Sequence, residues 1–262
     1  MNEESPGSIN MTGRSTHAAA QSLHDGVAMV TGSTVRVGLQ IALALARSGR
    51  DVFLHARQPG PVADDALRQV RATGRRAWLL IGDLNDAARI RSMFESISTA
   101  SGRLDILVNS AAIFGVTPPD RLTADDFDRF IGTNLRAPYL CSLHARELMK
   151  PGSSIINISD VAASRPFRNH VPYCVSKAGL EMMTKALAKA WAPDIRVNAI
   201  APGTVLFRDD EDEELRRIVT SRIPMGRIGT PADIVDAVLY LTDHAGHTTG
   251  AILPVDGGRV LD

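Results

Sequence analysis

From Gly26 onward the chain alternates short, almost uninterrupted apolar runs with longer segments in which apolar positions recur three and four apart. The runs are "VAMV" from Val27, "VFLH" from Val52, "AWLLIG" from Ala77, "ILVN" from Ile106, "SIINIS" from Ser154, "IRVNAI" from Ile195 and "AILPV" from Ala251. Continuous hydrophobicity of this kind is what a strand buried on both faces requires, as in a parallel sheet covered by helices. Between them, "LQIALALARSG", "VADDALRQVRATG", "DDFDRFIGTNLRAPYLCSLHARELM" and "SKAGLEMMTKALAKAWA" carry the helical period. Strand then helix, repeated, predicts a doubly wound α/β fold of about seven parallel strands with helices on both faces. Such a sheet places ligands in the crevice at the carboxyl ends of its strands. No repeat and no Pro/Gly/Ser-rich linker divides the pattern, so one domain is expected over residues 25–262.

The first 24 residues are polar and small, lack the apolar stretch of a signal peptide, and predict a disordered arm. Twenty-nine Lys and Arg balance twenty-nine Asp and Glu. Nothing in that balance points to nucleic acid or an anionic membrane, and the expected partner is a small molecule. No apolar run is long enough to span a bilayer. Two cysteines, Cys141 and Cys174, make neither a disulfide framework nor a metal knuckle. No metal is expected, and the location expected is the reducing cytoplasm.

Directly after the first strand comes "TGSTVRVG", from Thr31 to Gly38, running into a helix. A glycine turn that opens a helix brings backbone N–H groups and the positive end of the macrodipole up to a pyrophosphate. Gly32 and Gly38 hold the outer glycine positions of T-G-x-x-x-G-x-G, while Arg36 stands at the middle one. A dinucleotide site that selects NAD puts an acid at the end of the second strand for the ribose 2′-hydroxyl. This chain has "HARQ" there, with His55 and Arg57 and no acid. A guanidinium suits a 2′-phosphate that a carboxylate would repel, so the expected cofactor is NADPH/NADP. Asp83 in "GDLND" falls at a position suited to the adenine, and Asn109 in "LVNSAA" near the adenosine ribose.

Further on, Tyr173 and Lys177 form Y-x-x-x-K. On a helix this spacing puts both on one face, and an ammonium beside a phenol draws the phenol's pKa down toward neutrality.

Taken together, "TGSTVRVG", "GDLND", "LVNSAA", "TNLRAPY", "YCVSK", "VNAIAPG" and "VDGG" resemble a short-chain dehydrogenase/reductase from about Gly26 to Gly258, which implies a Rossmann fold. By that resemblance Asn134 helps hold a water beside the lysine. Cofactor contacts carried over include Val37, Leu84, Ser110 and Ala111, with Pro202, Gly203 and Val205 after the sixth strand. Many members are homotetramers, which is the expectation here. Three departures from the common pattern, Arg36, Phe114 and Asp160, are similar to the pteridine reductase and dihydromonapterin reductase branch, as is "PGTVLFRDD". The likeness implies that Arg36 reaches the pyrophosphate and substrate and that Phe114 sandwiches a pterin against the nicotinamide. A phenyl face holds a flat heteroaromatic by stacking. Gly203 and Leu206 join the expected substrate wall.

Asp160 stands where a carbonyl reductase carries serine, thirteen residues before Tyr173. A serine hydroxyl donates to the oxygen that gains charge as hydride arrives. An ionised carboxylate about 4 Å away would instead repel that oxygen by up to about 4 kcal/mol at an effective dielectric of 20. The arrangement fits a ring nitrogen that must be protonated after hydride reaches the adjacent carbon, with Asp160 and Tyr173 sharing a proton. In the plainer reading, Asp160 caps the turn that follows it.

The reaction expected is NADPH-dependent reduction of a dihydropteridine or dihydrofolate. A 3-oxoacyl or sugar carbonyl reductase stands beside it, and so does a cofactor-binding sensor without turnover. His170 and Cys174 are expected as an ordinary loop residue and a small packing residue. Arg165 and Arg168 divide evenly between an anionic substrate tail and solvent. The acid-rich run from Asp209 reads as a helix start, with Phe207 beside Leu206 at the pocket.

Overall fold

A computed structural model describes residues 25–207 and 212–261. The arm expected over residues 1–24, and Asp209, Asp210 and Glu211 of the acidic run, lie outside the described residues.

The first half runs β1 (Val27–Val30), α1 (Arg36–Arg47), β2 (Asp51–Ala56), α2 (Pro61–Arg71), β3 (Ala77–Ile81), α3 (Ala87–Ser101) and β4 (Ile106–Asn109). The second runs α4 (Ala124–Ile131), α5 (Ala137–Leu148), β5 (Ser153–Ile158), α6 (Val171–Trp191), β6 (Ile195–Pro202), α7 (Glu213–Ser221), α8 (Pro231–Leu239) and β7 (Ile252–Val255). All strand pairs are parallel, in the order β3-β2-β1-β4-β5-β6-β7.

The apolar runs become strands because both faces are covered, and successive side chains divide between two cores. In β1, Ala28 and Val30 join the layer of α1 and α8, while Val27 and Met29 join that of α3 and α5. Leu54 and Phe53 of β2, and Val108 and Leu107 of β4, separate in the same way. Helix ends follow local chemistry. Asp86 accepts the Ala88 and Arg89 N–H groups at the start of α3, and Gly102 at φ 65° ends it. Thr230 and Asp233 form a capping box on α8.

The single helix expected from Asp125 to Met149 is broken. A wide turn over Gly132–Arg136 separates α4 from α5, and the Ala137 N–H donates to the Gly132 carbonyl, five residues back. Pro138 has no N–H to return to the Asn134 carbonyl, so the ladder slips by one residue. That slip puts Asn134 inside. The acidic segment does begin a helix, with Asp212 accepting the Leu215 N–H at 2.7 Å. Strand order reverses between β1 and β4, and the crevice at their carboxyl ends holds the candidate site.

Candidate active site

A cleft of about 1140 Å³ crosses these strand ends, larger than a pocket for one drug-sized ligand. At its β1–β2 side Gly32 has φ +62°, and a Cβ there would lie 2.9 Å from the Ala111 Cα. A Cβ at Gly38 would drive into the Gly32 carbonyl oxygen. Arg36, at the middle glycine position, is held at φ 52°, a left-handed conformation that costs a side-chain-bearing residue about 1–2 kcal/mol. The first turn of α1 has neither a side-chain cap nor an acid, which leaves its N–H groups to an anion. His55 braces the turn from behind. Its Nδ1 accepts the Gly32 N–H at 3.0 Å and its Nε2–H donates to the Gly82 carbonyl at 2.9 Å, fixing the neutral tautomer. Burial lowers its pKa, in keeping with that state. Arg57 stands exposed at the rim with Nε 3.0 Å from Asp83 Oδ2. This cradle and open helix start fit the pyrophosphate of a nicotinamide dinucleotide.

Thr31 and Asn109 face inward. Thr31 Oγ1 accepts the Ser110 and Ala111 N–H groups, both at 3.0 Å, tying the β4 loop to the glycine turn. Asn109 donates to Asn157 Oδ1 at 2.8 Å and to Ser142 Oγ at 3.3 Å. Their side chains shape the cleft wall and do not form its surface. Val37, Leu84, Ser110, Ala111, Pro202, Gly203 and Val205 do line it.

At the other end, Tyr173 Oη donates to Asp160 Oδ2 at 2.7 Å. Asp160 Oδ1 accepts the Ala162 N–H at 2.8 Å, so the turn cap and the tyrosine contact coexist in one carboxylate. Lys177 Nζ donates to the Ile158 carbonyl at 2.8 Å and lies 5.7 Å from the centre of the Tyr173 ring. The phenol pKa expected to fall is instead pushed well up. Burial is the largest cause, then the charge and hydrogen bond of Asp160. Burial also raises the Asp160 carboxyl against the opposing pull of Ala162, Tyr173, Lys177 and Arg259. The Lys177 ammonium is pushed down to about 8 by burial. Asn134 is fully engaged, accepting the Ile113 N–H at 2.8 Å and donating to the Ile113 carbonyl and Ser176 Oγ.

Phe114 is 54% exposed and stands edge-on to Tyr173 with ring centres 4.9 Å apart. His170 lies parallel to it at 4.8 Å, pinned by a 2.7 Å bond between Nδ1 and the Arg168 carbonyl. Arg36, Leu206, Phe207, Phe167 and Arg259 complete this part of the cleft.

Comparison with known proteins accords with this geometry. The family model described as enoyl-(acyl carrier protein) reductase matches residues 26–259. A 7alpha-hydroxysteroid dehydrogenase of Clostridium sardiniense is 35% identical over 245 residues, 90% of this chain and 93% of that protein. A solved short-chain dehydrogenase/reductase of Serratia marcescens BCRC 10948 superposes with a TM-score of 0.87 at 31% identity, covering 91% of this chain and 99% of that one. The chain belongs to the short-chain dehydrogenase/reductase family. The angucycline C-6 ketoreductase LanV, solved with bound NADP, shares 28% identity with this reductase at a TM-score of 0.85, over 90% of this chain and 96% of its own.

In this reductase His170, expected as a loop residue, is a wall of the cleft. Cys174 receives the Phe167 N–H at 3.3 Å, a packing role as expected. Both cysteines are free and buried, and burial raises the Cys141 thiol to about 12. Arg165 turns to the Arg259 carbonyl at 2.8 Å. Phe167 and Arg259 also line the cleft, although no motif in the sequence points to them. The available signal for Arg259 was its place just beyond β7, whose carboxyl end opens on the same crevice.

Proposed function

We propose that this reductase uses NADPH to reduce a pterin, a dihydropteridine or dihydrofolate. The observation that carries the reading is the 2.7 Å bond from Tyr173 Oη to Asp160 Oδ2 in a buried corner of the cleft. A phenolate and a carboxylate that close would repel by about 6 kcal/mol at an effective dielectric of 20. Tyr173 therefore does not give up its proton while Asp160 is charged, and the working acid is the protonated Asp160. NADPH, when bound, would supply the hydride for the carbon of a ring C=N bond. The chain supplies the proton to the nitrogen, leaving Asp160 as a carboxylate hydrogen-bonded by Tyr173.

Each remaining residue has a part in this reading. Phe114, backed by His170, offers a flat face, and Arg36 serves the pyrophosphate and a polar ring edge. Gly32, Gly38 and the start of α1 hold the pyrophosphate, Arg57 the 2′-phosphate, and Lys177 the ribose side of the nicotinamide. Asn134, engaged with Ile113 and Ser176, keeps α4 and α6 in register beneath the site. The reading takes residues 25–262 as one catalytic domain. Tyr139, Val171, Val175 and Met182 leave an apolar strip on α5 and α6 that other copies would cover in a homotetramer. Location in the reducing cytoplasm agrees with the two free, buried cysteines.

A carbonyl reductase is favoured by a different observation, the apolar wall of Ile113, Val116, Leu206 and Phe207, which suits a hydrophobic ketone. Of the three proteins named above, one is a steroid dehydrogenase and one a ketoreductase. Turnover of dihydrobiopterin, dihydrofolate and simple ketones with NADPH and NADH separates the readings. NADPH binding without turnover of any of them would make the chain a sensor.

A further inference from the structure

We propose that Glu181 is a positioning residue for this site, holding Lys177 as an ammonium while Asp160 gains and loses its proton. This deepens the reading above and rests on it in one respect, that the Lys177 ammonium meets the ribose side of the nicotinamide.

Tyr173, Lys177 and Glu181 stand four residues apart on α6, so they lie along one face of the helix. Opposite them, consecutive residues at the end of β5 each take one of these side chains. Lys177 Nζ donates to the Ile158 carbonyl at 2.8 Å, Ser159 Oγ donates to Glu181 Oε1 at 2.9 Å, and Tyr173 Oη donates to Asp160 Oδ2 at 2.7 Å. Ser159 is itself fixed, its N–H donating to the Ile200 carbonyl of β6 at 2.7 Å. The outer two pairs are the ones on which the proposed proton transfer turns. The middle pair has the same construction, and ties Glu181 to the same strand end between them.

Lys177 is buried, and burial pushes its ammonium down to about 8 while the charges of Asp160 and Glu181 work against that fall. Asp160 does not do so throughout, because in the reading above it is neutral whenever it is ready to donate. In that state Glu181 is the carboxylate left to balance the buried ammonium. Glu181 is half-buried; burial raises its carboxyl, with Asp160 adding to the rise, whereas the Ser159 hydroxyl, Lys185 and Lys177 favour its charged form. Tyr173 also stands against Lys177, its ring centre 5.7 Å from Nζ. From the elements packed on α6, Arg129 of α4 pairs with Asp126, and Arg196 of β6 donates to the Leu241 and Ala245 carbonyls. In the turn over Gly132–Arg136, Arg136 donates to the Asn85 carbonyl and the uncharged Asn134 meets Ser176.

The chain's lysines are Lys150, Lys177, Lys185 and Lys189, few enough for each to be followed by NMR of lysine-labelled protein. Replacing the exposed Lys150, Lys185 and Lys189 by Arg in turn identifies the Lys177 signal by elimination. Without cofactor, Lys177 should titrate at about 8 in the unaltered protein. Glu181→Gln keeps an oxygen for Ser159 and removes the charge. Lys177 should then titrate roughly half a pH unit to two pH units lower, the span for charges about 6 Å apart between the dielectric of water and that of a protein surface. Glu181→Asp, which keeps the charge, should titrate closer to the unaltered protein. The Kd for NADPH, read by fluorescence titration, should rise as Lys177 loses its proton, and in Glu181→Gln that rise should begin lower by the same interval. An unmoved Lys177 titration in Glu181→Gln overturns the proposal. Should that variant fail to fold, Ser159→Ala decides: a carboxylate released from its anchor should leave Lys177 titrating below the unaltered protein, and an equal value overturns the proposal. A lowered Lys177 titration with an unmoved pH dependence of NADPH binding would uphold Glu181 and count against the ribose assignment.

Discussion

Replacing Asp160 by Asn removes a charge and an acid while keeping an oxygen for the Ala162 N–H. In the native pair the Oη and Oδ2 atoms are 2.7 Å apart, and both groups are buried. Charging both would cost about 6 kcal/mol at an effective dielectric of 20, a factor of more than ten thousand in the population of that state. The pair therefore passes through only two useful states near neutrality, both carrying the phenolic proton, and proton donation follows the Asp160 carboxyl. Because burial raises that carboxyl's pKa, kcat for a dihydropterin should be highest on the acid side and decline as pH rises through the raised value. Asp160→Asn should lower kcat by roughly 10²- to 10⁴-fold, the usual contribution of a positioned acid, and abolish that decline. The phenol, relieved of the carboxylate, should ionise at lower pH, readable as phenolate absorbance against a Tyr173→Phe control. NADPH oxidation followed across pH in both proteins is the assay. A native-like rate with an unaltered pH profile would refute the reasoning.

The same carboxylate bears on stability. A folded-state pKa raised above the unfolded one means that the folded protein gives up stability as pH rises through that window. Asp160→Asn should therefore raise Tm at pH 7 and lose that advantage in acid, as thermal melts across pH would show. Arg57→Gln should raise the KM for NADPH about tenfold while sparing NADH, and an unchanged coenzyme ratio would remove Arg57 from the 2′-phosphate. His55→Phe strands the Gly32 N–H and the Gly82 carbonyl, for about 1–3 kcal/mol each, and should weaken both stability and NADPH binding in denaturant and titration measurements. Since burial lowers the His55 pKa, its contribution is full above the unfolded histidine range and is lost as pH falls. Gly38→Ala should lose NADPH binding altogether, because its Cβ meets backbone at the Gly32 carbonyl, and titration with NADPH checks this.

The strands were legible because burial on both faces leaves a trace no solvent-facing element leaves, an apolar run without alternation. The break between α4 and α5 was not, since the helical period runs on through it and only Pro138 marks the missing donor. Gly32, Gly38 and Arg57 could be placed from order alone, because a glycine turn and a second strand end have fixed positions in such a sheet. The electrostatics of Tyr173 could not. Sequence spacing shows that Lys177 is near, but not that its ammonium turns to the Ile158 carbonyl while the carboxylate takes the phenol. Arg259 lay furthest from view, because it follows β7 and its backbone is held by Arg165, 94 residues away.

Initial rates with NADPH on dihydrobiopterin and on a series of simple ketones test the central claim most directly. The account predicts steady oxidation of NADPH with the pterin and little with the ketones. Steady turnover of a ketone, with none of the pterin, would contradict it.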